Sequence, residues 1–558
     1  MSVPPLTMKS GSRLGRSPQV GKKLVIQSPQ VVLPDRRAPQ EATIFVVSGV
    51  IDKVLVPAQS LKLPRTKGFR YSQRTCAFPA PSTYDSEEEL QAAIATFKGE
   101  GGPDFTLLQP PPHIIVLPGL VDSHVHLNDI EVARHSLHPE ATGGLPGSCC
   151  TPYTVPEEAL RDWEGYDSGT RAAAAGGITT VADMPLNGQP VSTSAAAVHT
   201  KRHLHESLEN RQLHVDVGIL GGVIPGNVKE LMGMADAGAV GFKCFMVYSG
   251  IEDFPACKPR DMEDALAMLR RMDIPLMIHA ECFDNVDVSP FDREDPTHYK
   301  TFLNKCPPEA EFTAIEGAIT AAENIGAAVH IVHLSAASAL PIIRRARADL
   351  LPLTVETCPH YLSLCEEQIH WGCTHYKCCP PIRHAQNREA LWEGLLDGTI
   401  DMIVSDHSPC PVSLKHLDTG DFTTSWGGLS TLQLSLAIIW TEAHKRSIPI
   451  ERLAYWMAMM PAHIIGMGRT KGAIAAGYSA DFAFFDPTEV WVVEAERMFH
   501  KHKICPFEGL ALRGRVQKTL LRGITVFDRS QADLAQQHPN LGTGRFVARP
   551  IALSPRAT

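Results

Sequence analysis

Between residues 119 and 410, eight short runs rich in Val, Ile and Leu alternate with longer stretches of helical character. No other feature limits the fold as strongly, because repeated βα units build a parallel sheet whose faces are covered by helices. The runs are GLVDSHVHL (119–127), GITTVAD (177–183), LHVDVGIL (213–220), AVGFKCFMV (239–247), IPLMIHAE (274–281), AVHIVHLS (328–335), LTVET (353–357) and IDMIVSD (400–406). Helix candidates lie between them at 166–176, 227–238 and 260–272. Eight such units predict an α/β fold, a closed (β/α)8 barrel of the TIM type.

In that barrel, chemistry sits at the C-terminal ends of the strands. The last polar residues of the runs are His124, His126, Lys243, His279, His333 and Asp406. A strand buried on both faces does not end in a charge or an imidazole without a use for it. Taken singly, each has a plain structural reading: a satisfied core histidine, Lys243 paired with an acid such as Asp183, Asp406 capping the next helix. That reading leaves unexplained why six such residues from five strands converge on one barrel mouth. His-x-His on a strand points both rings to one face, and imidazoles and carboxylates are the usual ligands of zinc and similar ions. Four histidines and one aspartate exceed what one tetrahedral catalytic ion needs, so two divalent metal ions are expected, with zinc the first candidate. An ammonium repels cations. Lys243 joins the set only after its amine has reacted with carbon dioxide, as a carbamate whose oxygens bridge two ions.

The same residues lie in a longer ordered series: GLVDSHVHLND (119–129), WEGYDSGTRAAAAGGITTVADMPLNGQP (163–190), GFKCF (241–245), HAE (279–281), HIVHLSAASAL (330–340), ETCPHYL (356–362), KCCPPIR (377–383), SDHSPC (405–410) and KGAIAAGYSADFAFFDP (471–487). In this series the chain resembles the amidohydrolase superfamily, its cyclic amidohydrolases, and most closely the allantoinases, from about residue 115 to about residue 530. The resemblance implies a binuclear centre. His124, His126 and Asp406 would hold the more buried ion, His279 and His333 the more exposed one, and carboxylated Lys243 would bridge them. His330, Glu281 and His407 lie nearby without matching ligand positions, which leaves them supporting or core roles. The implied reaction is hydrolysis of the hydantoin amide of allantoin to allantoate, a step in purine catabolism. Metal-activated hydroxide is the nucleophile, and Asp406 serves as general base and then general acid.

Related ring-opening enzymes share this metal set, so the loops must carry substrate choice. Dihydroorotases usually place an arginine two residues after the second histidine; Asn128 stands there, and a neutral amide suits an uncharged ureide better than an acid. Dihydropyrimidinases and hydantoinases place a tyrosine five residues beyond the carboxylated lysine. Tyr248 occupies that position, either as an O–H donor to the developing oxyanion or as strand-end packing. MPLN with Asn187, GFKCF and SDHSPC is closer to the allantoinases. Asn128 and Ser408 are the expected substrate contacts, with Tyr248 beside them. Trp426 to Gly428 reads as a loop near the mouth or as a turn before the next helix. Two alternatives stand: a dihydropyrimidinase or hydantoinase, and a non-catalytic scaffold on the same fold. Scaffolds of that kind have typically lost metal ligands, whereas all six are present here.

Outside the barrel, segments 23–35, 41–57, 472–487 and 516–528 alternate apolar and polar residues around Gly and Pro turns and read as antiparallel strands. The resemblance implies that both ends of the chain build a β-sandwich, from 21–115 with 470–530, beside a barrel at 116–469. An insertion at about 61–110 holds TYDSEEELQAAIATFKGEGG, expected as a short exposed helix. Residues 1–20 are expected to be a disordered extension and 531–558 a poorly ordered tail. The first 37 residues carry seven Lys/Arg against a single Asp, which also resembles a transit peptide.

A formal net charge of −9, from 52 Lys+Arg and 61 Asp+Glu, argues against a nucleic-acid partner. No run approaches the roughly 18 apolar residues that span a bilayer, so no membrane partner is expected. The 14 cysteines show no framework spacing and read as reduced thiols of a cytoplasmic chain. A small-molecule substrate is the expected partner, and a homotetramer, common among the relatives, the expected assembly.

Overall fold

Burial on both faces is what the apolar runs predict, and it is what the barrel strands have. The computed structural model describes residues 22–34, 36, 38–62, 78–99, 105–128, 162–186, 188, 190–206, 213–284, 286, 295–531, 537–538 and 542–550. Eight strands stand side by side in sequence order: Leu120–Val125, Ile178–Asp183, Asp216–Gly222, Ala239–Phe245, Leu276–His279, Val329–Ile331, Leu353–Thr357 and Met402–Ile403. Every neighbouring pair is parallel. The first four are buried along their whole length. A parallel bridge between Val125 and His407, with the His126 N–H donating to the His407 carbonyl at 2.7 Å, brings the end of strand eight back to strand one. The sheet curls into the expected barrel.

Two strands stop short of the polar residues expected to lie within them: strand six ends at Ile331, before His333, and strand eight at Ile403, before Asp406, whereas strand five ends on His279 itself. His333 and Asp406 have positive φ, 38° and 44°, a conformation that leaves the ladder. Of the helix candidates, 260–272 appears as Pro259–Met272, with Met262, Ala265, Leu266 and Leu269 buried at helical spacing. The helix expected over 227–238 is only Glu230–Asp236. Asn227 explains the late start: its side chain accepts the Ile224 N–H and donates to the Thr193 and Gly222 carbonyls, holding a turn there.

A second sheet is built from both ends of the chain. Its order is Ile524–Asp528, Ala511–Leu521, Phe482–Val492, Ile115–Pro118, Lys23–Val31, Gln40–Val47, Val50–Pro57 and Ser82–Tyr84, with Phe105–Leu108 also beside Lys23–Val31. Ile115–Pro118 pairs antiparallel with Phe482–Val492 and so joins the two ends. One face packs Ile26, Ile44, Val54, Phe482 and Leu520 together. On another cluster, helix Glu87–Gly99 sets Leu90, Ile94 and Phe97 against Val25, Phe45 and Leu55. The helix expected to be exposed therefore has a buried face; its apolar residues fall on one side and find sheet beneath them.

The tail also departs from expectation. Phe546–Val547 is a strand that pairs in parallel with strand three, beside Val217 and Gly218. The Arg549 guanidinium anchors it through the carbonyls of Val240, Ile464 and Asp273. Beneath it the buried Asp216 carboxylate takes Arg522 and Lys471, and Lys471 also meets Asp481. The expected extension at 1–20, all of 63–77 in the insertion, and 532–536, 539–541 and 551–558 of the tail lie outside the described residues. Among the described residues no helix is long and apolar enough to cross a membrane.

Candidate metal centre

Strand one ends at the mouth with three polar side chains on one face, Asp122, His124 and His126, because the strand repeat is two residues. The Nε2 atoms of His124 and His126 face one oxygen of Asp406 at 3.2 and 3.5 Å. One ligand atom from each of the three lies within 4.8 Å of the others, and all three residues are buried. Asp406 and His333 reach the mouth in left-handed backbone, as does Asn128 with φ 50°. Strain of about 1–3 kcal/mol at each such residue persists where the surroundings over-determine it, characteristically at functional sites.

His279 and His333 form the next pair. Nδ1 of His279 is 2.9 Å from Nε2 of His333, and the His279 ring stacks on Phe245 with centroids 4.6 Å apart. The other nitrogen of His279 meets Glu281 at 2.7 Å. His333 is 5.2 Å from His124, centroid to centroid, so the two groups of histidines adjoin. Lys243 has no exposure, its Nζ lies 4.8 Å from the centre of the Phe245 ring, and it has no hydrogen-bond partner among the described residues. Burial pushes its pKa down to about 8. It does not pair with Asp183, whose carboxylate takes the Leu127 N–H and the Tyr166 hydroxyl.

Burial also holds the His124 imidazole well below its ordinary pKa, with Lys243 adding to the effect, and burial then His279 do the same for His333. Neutral imidazole is the form that binds metal. Nδ1 of His126, Nδ1 of His333 and Nζ of Lys243 are buried without hydrogen-bond partners among the described residues. Buried polar atoms are normally paired, and such a gathering of unpaired nitrogens beside a carboxylate fits a bound cation.

Two carboxylates at the mouth escaped the sequence reading. Glu356, in strand seven, contacts Nδ1 of His124 at 2.5 Å and Nε2 of His330 at 2.9 Å, and accepts the His333 N–H at 3.2 Å. It orients two rings at once. Asp122 accepts the backbone N–H groups of His124 and Ser405 at 3.1 and 3.0 Å, tying strand one to strand eight, and burial pushes its pKa up to about 7. Glu356 could have been found by the rule that selected the others, since it comes at the end of an apolar barrel run, whereas Asp122 precedes both histidines of its run and falls outside that rule.

The expected substrate contacts are placed unevenly. Asn128 is buried, and its Oδ1 has no hydrogen-bond partner among the described residues. The Ser408 hydroxyl donates to the Asp406 carbonyl at 3.0 Å and accepts the Leu429 N–H at 3.2 Å, so it is already committed to the main chain. Gly428 lies against the same segment, where a Cβ would come within 2.1 Å of the Ser408 carbonyl oxygen. Trp426 packs edge-on to Trp163, with centroids 5.1 Å apart. Tyr248 is half-buried just beyond strand four, and burial, then Glu252, raises its pKa. Nδ1 of His407 accepts the N–H groups of Thr431 and Leu432, away from the cluster. Asn187 lies outside the described residues.

Residues 115–526 match the model of the Amidohydrolase family. The chain is 41% identical to the Allantoinase of Streptomyces avermitilis over 435 residues, 78% of this chain and 88% of that protein. It is 39% identical to the Allantoinase of Arabidopsis thaliana, over 74% of this chain and 78% of that one, and 38% identical to that of Saccharomyces cerevisiae, over 74% and 82%. Among solved structures, the L-hydantoinase (dihydropyrimidinase) of Arthrobacter aurescens shares the fold, with TM-score 0.74 at 23% identity over 94% of this chain and 99% of that one. With a buried His, His, Asp cluster at the mouth of such a barrel, and a family model matched along most of its length, the chain belongs to the amidohydrolase family.

Proposed function

We propose that this chain hydrolyses allantoin at the amide bond of its hydantoin ring to give allantoate. Identity of 41% running through 88% of the Streptomyces avermitilis Allantoinase carries this reading. The convergence of His124, His126, Lys243, His279, His333 and Asp406 on one mouth supports it.

The donor chemistry suits two divalent ions, with zinc first. His124, His126 and Asp406 would hold the inner ion, His279 and His333 the outer, and Lys243, carboxylated, would bridge them. A fully buried lysine held to a pKa of about 8 is more readily the free amine that adds carbon dioxide than an exposed one. Bound at these residues, the ions lower the pKa of water and polarise the amide carbonyl. Asp406 then moves the proton. Its carboxylate takes it from the attacking water as the new C–O bond forms, and returns it to the departing ring nitrogen when the amide C–N bond breaks in the second step. Glu356 keeps the His124 ring oriented throughout. Asn128 offers a neutral, uncharged contact to the ureide. Ser408 serves by fixing the main chain that carries Asp406 rather than by a free hydroxyl. Tyr248 offers an O–H to the oxyanion.

Tyr248 also favours a second reading, a dihydropyrimidinase or hydantoinase. Side-by-side assays of allantoin, hydantoin, dihydrouracil and dihydroorotate decide between them: allantoin should be opened fastest, and fastest opening of dihydrouracil would overturn the first reading. A scaffold without catalysis would contain well below one equivalent of metal after purification. We further assign the chain to the cytoplasm as a homotetramer. Fractionation and sedimentation test these two assignments, and the mitochondrial designation of the Aquarana catesbeiana relative makes mitochondria the competing compartment.

A further inference from the structure

Past the end of strand seven lies a donor group that the chemistry above does not use. Cys358 follows Leu353–Thr357 directly, and His360 comes two residues later in the short helix Pro359–Ser363. One donor atom from each, together with one oxygen of Asp406, lie within 4.8 Å of one another, and all three residues are buried. His360 has no exposure, and neither of its ring nitrogens has a hydrogen-bond partner among the described residues. A buried imidazole ordinarily finds one. Thiolate, imidazole and carboxylate are the donors that zinc and softer divalent ions select. Metal–ligand bonds of about 2.0–2.3 Å set donors roughly 3.3–3.8 Å apart, so the side chains need to close by only about 1 Å.

We propose that Cys358, His360 and Asp406 form an inhibitory site for a thiophilic divalent cation, Zn2+ in excess of the resident ions or Cd2+. The inhibitory half rests on the reading of Asp406 as the proton carrier. As the metal–sulfur bond forms, the Cys358 thiol gives up its proton to solvent. The cation then occupies the Asp406 carboxylate, which can no longer take a proton from water. Sulfur marks this site off from the resident centre, whose proposed donors are nitrogen and oxygen alone. Cys378, a buried thiol that also interacts electrostatically with Cys358 and Asp406, is the competing donor.

The test is titration of Cd2+ into the holoenzyme, following thiolate-to-metal charge-transfer absorption and the ring-opening rate in parallel. The band should saturate near one equivalent per chain while the rate falls on the order of a hundredfold, the scale of a lost general base. Cys358→Ala should lose both the band and the inhibition while keeping its basal rate. His360→Gln should weaken Cd2+ binding, and Cys378→Ala should leave both signals intact. An absent band, or one that persists in Cys358→Ala, overturns the site. A band without loss of rate overturns the inhibition. Because the band is read without turnover, it stands or falls apart from the allantoin reading, which the cadmium-free control tests.

Discussion

Lys243 makes the largest demand on its surroundings, since a buried amine with no hydrogen-bond partner among the described residues needs a chemical reason to be there. Lys243→Ala should lose most bound metal and lower activity by on the order of a hundredfold or more, with partial rescue by short carboxylic acids. Metal analysis and assay of the variant check this, and full activity would overturn the two-ion reading. Glu356→Ala should weaken metal affinity by about 10–100-fold, measured by competition with a chelator, because Glu356 holds the His124 ring. At this scale the sequence was most informative where a polar residue ends an apolar run: His124, His126, Lys243, His279, His333 and Asp406 all show that way. Glu356 shows it too, but its value lies in contacts with residues 23 to 232 positions away, and no local pattern carries those. The bond that Ser408 accepts from Leu429, 21 positions away, was hidden for the same reason.

Among the elements, strand positions were legible because each strand is buried on both faces and its run is apolar throughout. Their ends were not, because left-handed residues at the mouth cut them short. The buried face of Glu87–Gly99 has helical spacing in Leu90, Ile94 and Phe97, yet the surface that receives it forms only in three dimensions. Leu90→Ala should destabilise the chain by about 2–5 kcal/mol in denaturant titration. Asp216→Ala should be as severe, about 3–5 kcal/mol, because it removes the buried carboxylate that Lys471 and the half-buried Arg522 share. Glu164, ahead of helix Tyr166–Ala175, accepts the Lys501 N–H, and burial pushes its pKa up from 4.5 to about 7. A raised carboxyl pKa means that the folded state binds the extra proton. Its stabilisation is therefore full below the unfolded value and is lost as pH rises through about 7. Glu164→Gln should flatten the fall in stability between about pH 4.5 and about pH 7, read by denaturation at several pH values.

For the whole molecule, removal of bound metal by a chelator should lower the melting temperature, because an ion held only by the folded state adds its binding free energy to stability. Calorimetry before and after metal is restored measures the difference. The joined ends of the chain act on another timescale. Phe482–Val492 hydrogen-bonds to Ile115–Pro118, so its first residue meets Pro118 from some 360 positions downstream. At about 5–20 residues per second, a ribosome takes roughly 20–70 s to travel that distance. Throughout that interval the emerging N-terminal strands keep an open edge toward every other nascent chain nearby. Synthesis of this chain thus contains a built-in wait before that edge is covered.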